Sequence, residues 1–236
     1  RLDMVVRVRP GFFRGKQTLS ITLQDFERSG KGEEGESAGP KAVVIDCRAE
    51  SAPLKKLNEI MTEVENLQIW GEAVVQDGAK PRAELMNGKT LVVWSIPPGR
   101  GEVASVLEQV TPEEIYVFAK DPGVDTYQAF TQRLGGLVKY TMVEYDGHSS
   151  VAKLAGAMAH GERTVVAGFE VLPAMGVQAT REGDDEVLFE RCAVVDVSVA
   201  VDKLRVLLDE ARAFRKAFRT TEDAANFFAG GQSGEE

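Results

Sequence analysis

"TLVVWSIPPGRGEVASVLEQVTPEEIYVFAKD", residues 90–121, decides the fold class. It opens on a continuous apolar run that two prolines, Pro97 and Pro98, bring to an end. Such a run reads as a strand covered on both faces. Val103, Val106, Leu107 and Val110 then recur at helical spacing on one face. "EEIYVFAK" is a second strand. Strand, helix and strand in succession imply a parallel sheet with helices on its faces.

The pattern extends in both directions. Upstream, "KAVVIDCR" (41–48) is a short apolar run and predicts a buried strand. Leu54, Leu57, Ile60 or Met61, and Val64 predict a helix, with Ser51 as cap and Pro53 in the first turn. "GEAVVQ" (71–76) predicts a short strand. Downstream, "DTYQAFTQRLGGLVKY" (125–140) predicts a helix with Phe130, Leu134, Leu137 and Val138 inward. Its Gly135-Gly136 pair gives either a kink or an early stop.

From His148 the texture changes. Ser149 or Ser150 caps a short helix with Val151, Leu154, Ala155 and Met158 inward, and Gly161 breaks it. A second helix carries Val165, Val166, Phe169, Leu172 and Met175 and ends at Gly176. "VQATREGDDEVLFE" (177–190) reads as strand, acidic turn, strand. Two helices and a hairpin in this order outline a winged helix. Ser198 then caps a run with Leu204, Leu207, Leu208, Ala211, Phe214 and Phe218, and Thr221 caps a last helix ending in Phe227 and Phe228.

The amino-terminal residues differ from all of this. Met4, Val6 and Val8 alternate in "RLDMVVRVRP" (1–10), as do Leu19, Ile21 and Leu23 further on, with Gly15-Lys16 near a turn. That is a hairpin, and a lone two-stranded hairpin is not a stable domain. The first residue is Arg1, so the expectation is a piece of a longer chain. "RSGKGEEGESAGPK" (28–41) is rich in Gly, Ser and Glu and predicts a flexible linker.

Composition narrows the classes. The net charge over 236 residues is −9. Residues 1–28 hold six Lys or Arg against three acids, a local +3, which leaves −12 for the rest. A phosphate backbone would therefore meet the hairpin first. The alternative is that these strand-edge bases are solvated gatekeepers. No apolar run is long enough to span a membrane, and no signal peptide is visible. Cys47 and Cys192 fit reduced residues of a cytoplasmic protein.

The candidate chemistry is sparse. "AELMNGKT" (83–90) matches a loose phosphate-loop pattern, but a strand follows it where the mechanism needs a helix, so it reads as a turn. "PPGRGE" (97–102) lies at the carboxyl end of a parallel strand, where α/β proteins bind ligands, without a phosphate-loop spacing. "EYDGH" (144–148) and His160 offer too few ligands for a metal. At its helix end His160 would suit a cation. Asp184 and Asp185 read as solvated turn residues. The second helix of the winged-helix outline offers Arg163 and little else basic, so packing and protein contact suit it better than a DNA groove. The last long helix carries Arg212, Arg215, Lys216 and Arg219, either a solvated face or a surface for an acidic partner segment.

Several stretches together resemble the carboxyl-terminal region of the bacterial single-strand-specific exonuclease family RecJ. "LDMVVRVRPGFFRGKQTLSITLQDFE" resembles the last strands of that family's OB-fold. "VVIDCR" resembles its Asp-x-Arg strand, and residues 90–121 are similar to its strand–Pro–helix–strand segment. The helix pair at 148–176 and "VDKLRVLLDEARAFRKAF" (201–218) stand where the family has them.

The resemblance implies 5′–3′ degradation of single-stranded DNA in recombination and repair by the parent chain. The family's Asp-His-His motifs hold divalent metal, Mn or Mg, and no such run occurs here. The expectation is thus a fragment with no catalytic residue and no cofactor of its own. An OB surface tracks the backbone with bases and stacks aromatics. This points to Arg7, Arg9, Phe13, Arg14 and Lys16 for single-stranded DNA, and to Arg212, Arg215, Lys216 and Arg219 for a protein partner. Single-strand-binding protein or a helicase would be that partner.

The expected fold class is α/β. An incomplete OB-fold hairpin (1–28) and a linker (29–40) precede a Rossmann-like parallel layer domain (41–147). A winged-helix-like segment (148–196), carboxyl-terminal helices (197–230) and a disordered tail (231–236) follow. The rival expectation is an independent interaction module with no nucleic-acid role.

Overall fold

In the computed structural model the described residues are 2–13, 16–28, 42–74, 76–183 and 185–228, with side chains described from Ala42 onward. The expected linker at 29–40 and tail at 231–236 lie outside them. The chain divides into two units, Arg1–Gly39 and Pro40–Glu236.

In the first unit β1 (Leu2–Phe13) pairs antiparallel with β2 (Lys16–Arg28). The register sets Val6 opposite Leu23, Val8 opposite Ile21 and Pro10 opposite Leu19. Met4 lies opposite Phe26, which is an odd number of residues from Leu23. A regular strand would put those two on opposite faces. The register shift between Val5 and Val6 takes up one extra residue of β2.

The second unit is built on a parallel sheet of β3 (Val43–Asp46), β4 (Leu67–Trp70), β5 (Thr90–Ser95) and β6 (Glu114–Lys120), in the order β3-β6-β5-β4. β5 is buried along its whole length because both faces are covered. Leu91 and Val93, with Ile115 and Val117 of β6, pack against Val103, Val106 and Val110 of α2 (Arg100–Val110). Val92 and Trp94, with Phe118, pack on the other face against Leu57 and Ile60 of α1 (Pro53–Glu63).

Four local expectations change. β3 is an edge strand, not a buried one, and Val43 is 60% exposed. The strand near residue 70 is "LQIW", and Gly71–Val74 of "GEAVVQ" is irregular. There Lys80 closes on the end of β4, donating to Ile69 O and accepting from Gly71 N. Ser51 does not cap α1; Glu50 Oε1 accepts from Ala52 N instead. Gly135-Gly136 does not stop its helix, which runs on to Glu144.

The remainder follows the order helix, strand, helix, helix, strand, strand. These are α3 (Tyr127–Glu144), β7 (His148–Ser150), α4 (Val151–Met158), α5 (Glu162–Phe169), β8 (Val177–Glu182) and β9 (Glu186–Arg191). The three strands form an antiparallel sheet in the order β7-β9-β8. In β9 the alternation is clean, with Val187 and Phe189 buried between more exposed neighbours. Ser150 caps α4 by accepting from Lys153 N. Asp185 is not merely solvated: its carbonyl accepts from Val151 N and its Oδ1 from Ala152 N, which satisfies two amides at the start of α4.

One helix serves both halves. α6 (Ser198–Thr220) sends Leu204, Leu207 and Leu208 into the core beneath the antiparallel sheet. Four turns on, Phe218 enters the core of the parallel sheet, joined by Ala224 and Phe228. Its first turn is satisfied by Asp196 Oδ1, which accepts from Ser198 N, rather than by the Ser198 side chain. Its last carbonyls are met by Arg48, which donates to Phe218 O at 2.7 Å and Thr221 O at 2.9 Å. Asp46 holds that guanidinium from below at 2.6 Å. A final 3-10 turn, Ala224–Phe227, is capped by Asp223 and not by Thr221. Cys47 is buried, Cys192 is half-buried and both are free thiols. Among the described residues no helix is long and apolar enough to cross a membrane.

Candidate functional site

The carboxyl edge of a parallel sheet is where α/β proteins bind ligands, because the strand ends fan apart there. In this chain the edge is formed by Glu72 after β4, Ser95 at the end of β5, and the segment Asp121–Asp125 after β6. β6 carries an extra residue relative to β5: Val93 pairs with Val117 but Ser95 with Lys120. Ala119, at φ +52°, takes up the irregularity.

The edge is filled by charges that satisfy one another. Glu72, 2% exposed, accepts from Trp70 Nε1 and the Arg82 backbone at Oε1, and from the Arg82 guanidinium at Oε2, each at 3.1 Å. Its own N–H donates to Ser95 Oγ at 2.9 Å. Arg82 also donates to His160 O. Arg215 Nη1 donates to Asp125 Oδ1 and its Nη2 to Ala159 O. Arg212 donates to Asp125 O at 2.7 Å. The two arginines Arg82 and Arg215 thus both end on the Ala159-His160 turn between α4 and α5.

Burial sets the protonation of this cluster. It raises the carboxyls of Glu72 and Asp125 above the usual range, and the facing guanidiniums of Arg82 and Arg215 offset only part of that rise. Burial, and then the charge of Arg215, lowers His160 to about 3. His160 is therefore neutral at pH 7, not the helix-end cation that its position in the sequence predicts. Its Nε2 lies 3.3 Å from Val124 O, a pure acceptor, and 3.6 Å from Asp125 Oδ1. The neutral ring therefore carries its proton on Nε2. Among the described residues, Nδ1 of His160 and Nε of Arg215 have no hydrogen-bond partner.

The sequence-predicted residues scatter. Arg14 lies outside the described residues. Arg7 and Arg9 stand in β1 opposite Thr22 and Ser20, and Phe13 is opposite Lys16. Arg212, Lys216 and Arg219 are exposed on α6, but Arg215 is 3% exposed and points into the core. Of the three exposed bases, Arg212 pairs with Asp209 at 3.0 Å and Arg219 with Asp121 at 3.4 Å. The sequence did carry a signal for Arg215. Leu204, Leu208, Ala211, Arg215 and Phe218 are spaced four, three, four and three apart, so a charge sits in the apolar stripe and requires a buried counter-ion.

The remaining candidates resolve individually. Asn87 of "AELMNGKT" donates to Val110 O, closing the end of α2, and Lys89 pairs with Glu113. Among the described residues no three His, Cys, Asp or Glu side chains gather as a metal site requires. Burial pushes the Cys47 thiol up, away from nucleophilic use. Two shallow clefts open beside the filled edge, of about 450 Å³ and 320 Å³, and Glu102 and Arg163 line both. No protein-family model, curated protein or solved structure matches the chain.

Proposed function

We propose that this chain is the carboxyl-terminal accessory region of a RecJ-type 5′–3′ single-strand DNA exonuclease of the cytoplasm. The hairpin closes an OB-fold and guides single-stranded DNA, while Pro40–Glu236 docks a protein partner such as single-strand-binding protein or a helicase. Divalent metal, Mn or Mg, belongs to the catalytic core of the parent in this reading.

The observation that carries it is the register of β1 and β2. In two strands of 12 and 13 residues, Val6, Val8 and Pro10 stand opposite Leu23, Ile21 and Leu19, and Arg7 and Arg9 stand opposite Thr22 and Ser20. A ribbon of that kind needs further strands over its apolar face, as a barrel supplies. Its polar face pairs bases with hydroxyls, a composition suited to a phosphate backbone.

For the second unit the order α3-β7-α4-α5-β8-β9 and the sheet order β7-β9-β8 favour a winged-helix reading. In that reading α5 would be the helix that enters DNA. Yet Thr164, Val165, Ala167, Gly168 and Phe169 are buried, and α6 lies against the helix. The buried helix favours packing and protein contact over groove reading. It equally favours the second reading, an interaction module with no nucleic-acid role.

Anisotropy of a 5′-fluorescein oligothymidylate titrated with the 236-residue chain separates the two. Binding that weakens steeply with salt, with a slope reduced by Arg7→Ala, Arg9→Ala and Lys16→Ala together, is expected. An absence of binding at low salt, or binding that ignores the triple change, would leave the interaction module.

A further inference from the structure

The two clefts beside the sheet edge adjoin at Glu102 and Arg163, which line both, and make up a groove of two parts. Its floor is partly apolar, with Pro98 from the β5–α2 loop and Leu207, Ala211 and Phe214 from α6. Its charges are unbalanced. Nearby acids are spent internally: Glu72 on Arg82, Asp125 on Arg215, Asp121 on Arg219 and Asp209 on Arg212. Glu102, Glu162 and Glu210 line the groove and join no ion pair among the described residues. Arg82, also at the rim, is committed to Glu72. That leaves three carboxylates against the single guanidinium of Arg163.

The groove is also built around one of these acids. A Cβ at Gly99 would meet a Glu102 carboxylate oxygen at 2.7 Å, and one at Gly161 would meet the other at 2.6 Å. The Glu102 carboxylate thus lies close against the backbone of Gly99 and Gly161. Glu102 and Glu162 stand in the first turns of those helices, where the helix dipole offsets part of their charge. Glu210, in the middle of α6, is exposed and has no such offset.

We infer that this groove takes a short segment of a partner protein in which Lys or Arg stands among apolar residues. The apolar part lies on Leu207, Ala211 and Phe214, and the base sits over Glu210 and Glu102. Long basic side chains suit such a site, since the stem covers apolar surface while the head meets the carboxylates. The chain's own last residues, "GGQSGEE", carry acids and no base, so they do not complement it. The surface is distinct from the hairpin, and its test does not involve DNA.

The experiment titrates the whole chain into two fluorescein-labelled peptides, LKFLRL and LEFLEL. LKFLRL is expected to bind saturably and at least tenfold tighter than LEFLEL. Glu210→Lys is expected to reverse that preference, and Glu210→Gln to cut LKFLRL affinity at least threefold with an unchanged circular dichroism spectrum. Glu210 is exposed, so neither change threatens folding. Equal affinity for the two peptides, preference for LEFLEL, or indifference to Glu210→Lys would overturn the inference. So would self-association in sedimentation that Glu210→Lys abolishes, because the occupant would then be a second copy.

Discussion

The parallel sheet and the antiparallel sheet of the second unit bury their strands in opposite ways. β5 is covered on both faces and reads as an unbroken apolar run, while β9 has one covered face and alternates. α6 nevertheless packs into the cores of both halves. Over the parallel sheet it inserts Arg215 among buried acids; over the antiparallel sheet it inserts leucines. One helix thus meets the parallel half with a buried charge as well as Phe218, and the antiparallel half with apolar residues alone, and the two modes differ in how they fail.

Breaking the charged closure has the largest expected effect. Arg215→Ala leaves Asp125 buried without its partner, so urea denaturation is expected to show a loss of about 3–5 kcal/mol. Replacing both residues together by apolar ones of similar volume should recover most of it. A loss under about 1 kcal/mol for the single change would mean that the charges do not hold the halves together.

Next come truncations at the two ends of α6. Leu204→Ala and Phe218→Ala touch different cores and should cost about 2–5 and 3–5 kcal/mol. Because one helix carries both residues, each variant is expected to unfold in a single transition when followed by both tryptophan fluorescence and circular dichroism. Transitions that separate in only one variant would divide the halves.

Acid sharpens the contrast further. The folded His160 value, about 3, lies below its ordinary 6.5. Its stabilising contribution is therefore complete above pH 6.5 and is lost as pH falls toward 3. Between pH 6.5 and 5 the loss should be about 2 kcal/mol, from about 1.5 pH units at 1.36 kcal/mol each. Glu72 and Asp125 are raised and run the other way, with stability complete below their unfolded values and lost as pH rises through the folded ones. Melting curves of His160→Gln against the parent chain isolate the histidine, and identical pH dependence would remove it from the account.

The smallest effect belongs to the turn between β8 and β9. Asp185→Ala removes a side-chain acceptor from the start of α4 and should cost about 1 kcal/mol, read as a lowered melting temperature.

How far the sequence could be read follows from the same contrast. The β5–α2–β6 unit was legible because covering both faces writes a run of apolar residues that nothing else explains. "LQIW" was not, since four residues carry too little pattern, and the β-branched pair in "GEAVVQ" drew the strand to itself. At the sheet edge, legibility failed for a different reason. Pairs such as Asp125–Arg215 and Glu72–Arg82 lie 90 and 10 residues apart. Local periodicity shows a charge in the stripe of α6 but cannot name the acid that receives it. His160 was placed at its helix end correctly and given the wrong charge, because burial is a property of elements that arrive later in the chain.

Arg48 has a further consequence. It holds the end of the last long helix from a position about 170 residues earlier, beside the first strand of the unit. During synthesis this guanidinium is made long before the carbonyls that it will meet. A chain that lacked the residues from Leu204 onward would leave both interiors of the second unit uncovered.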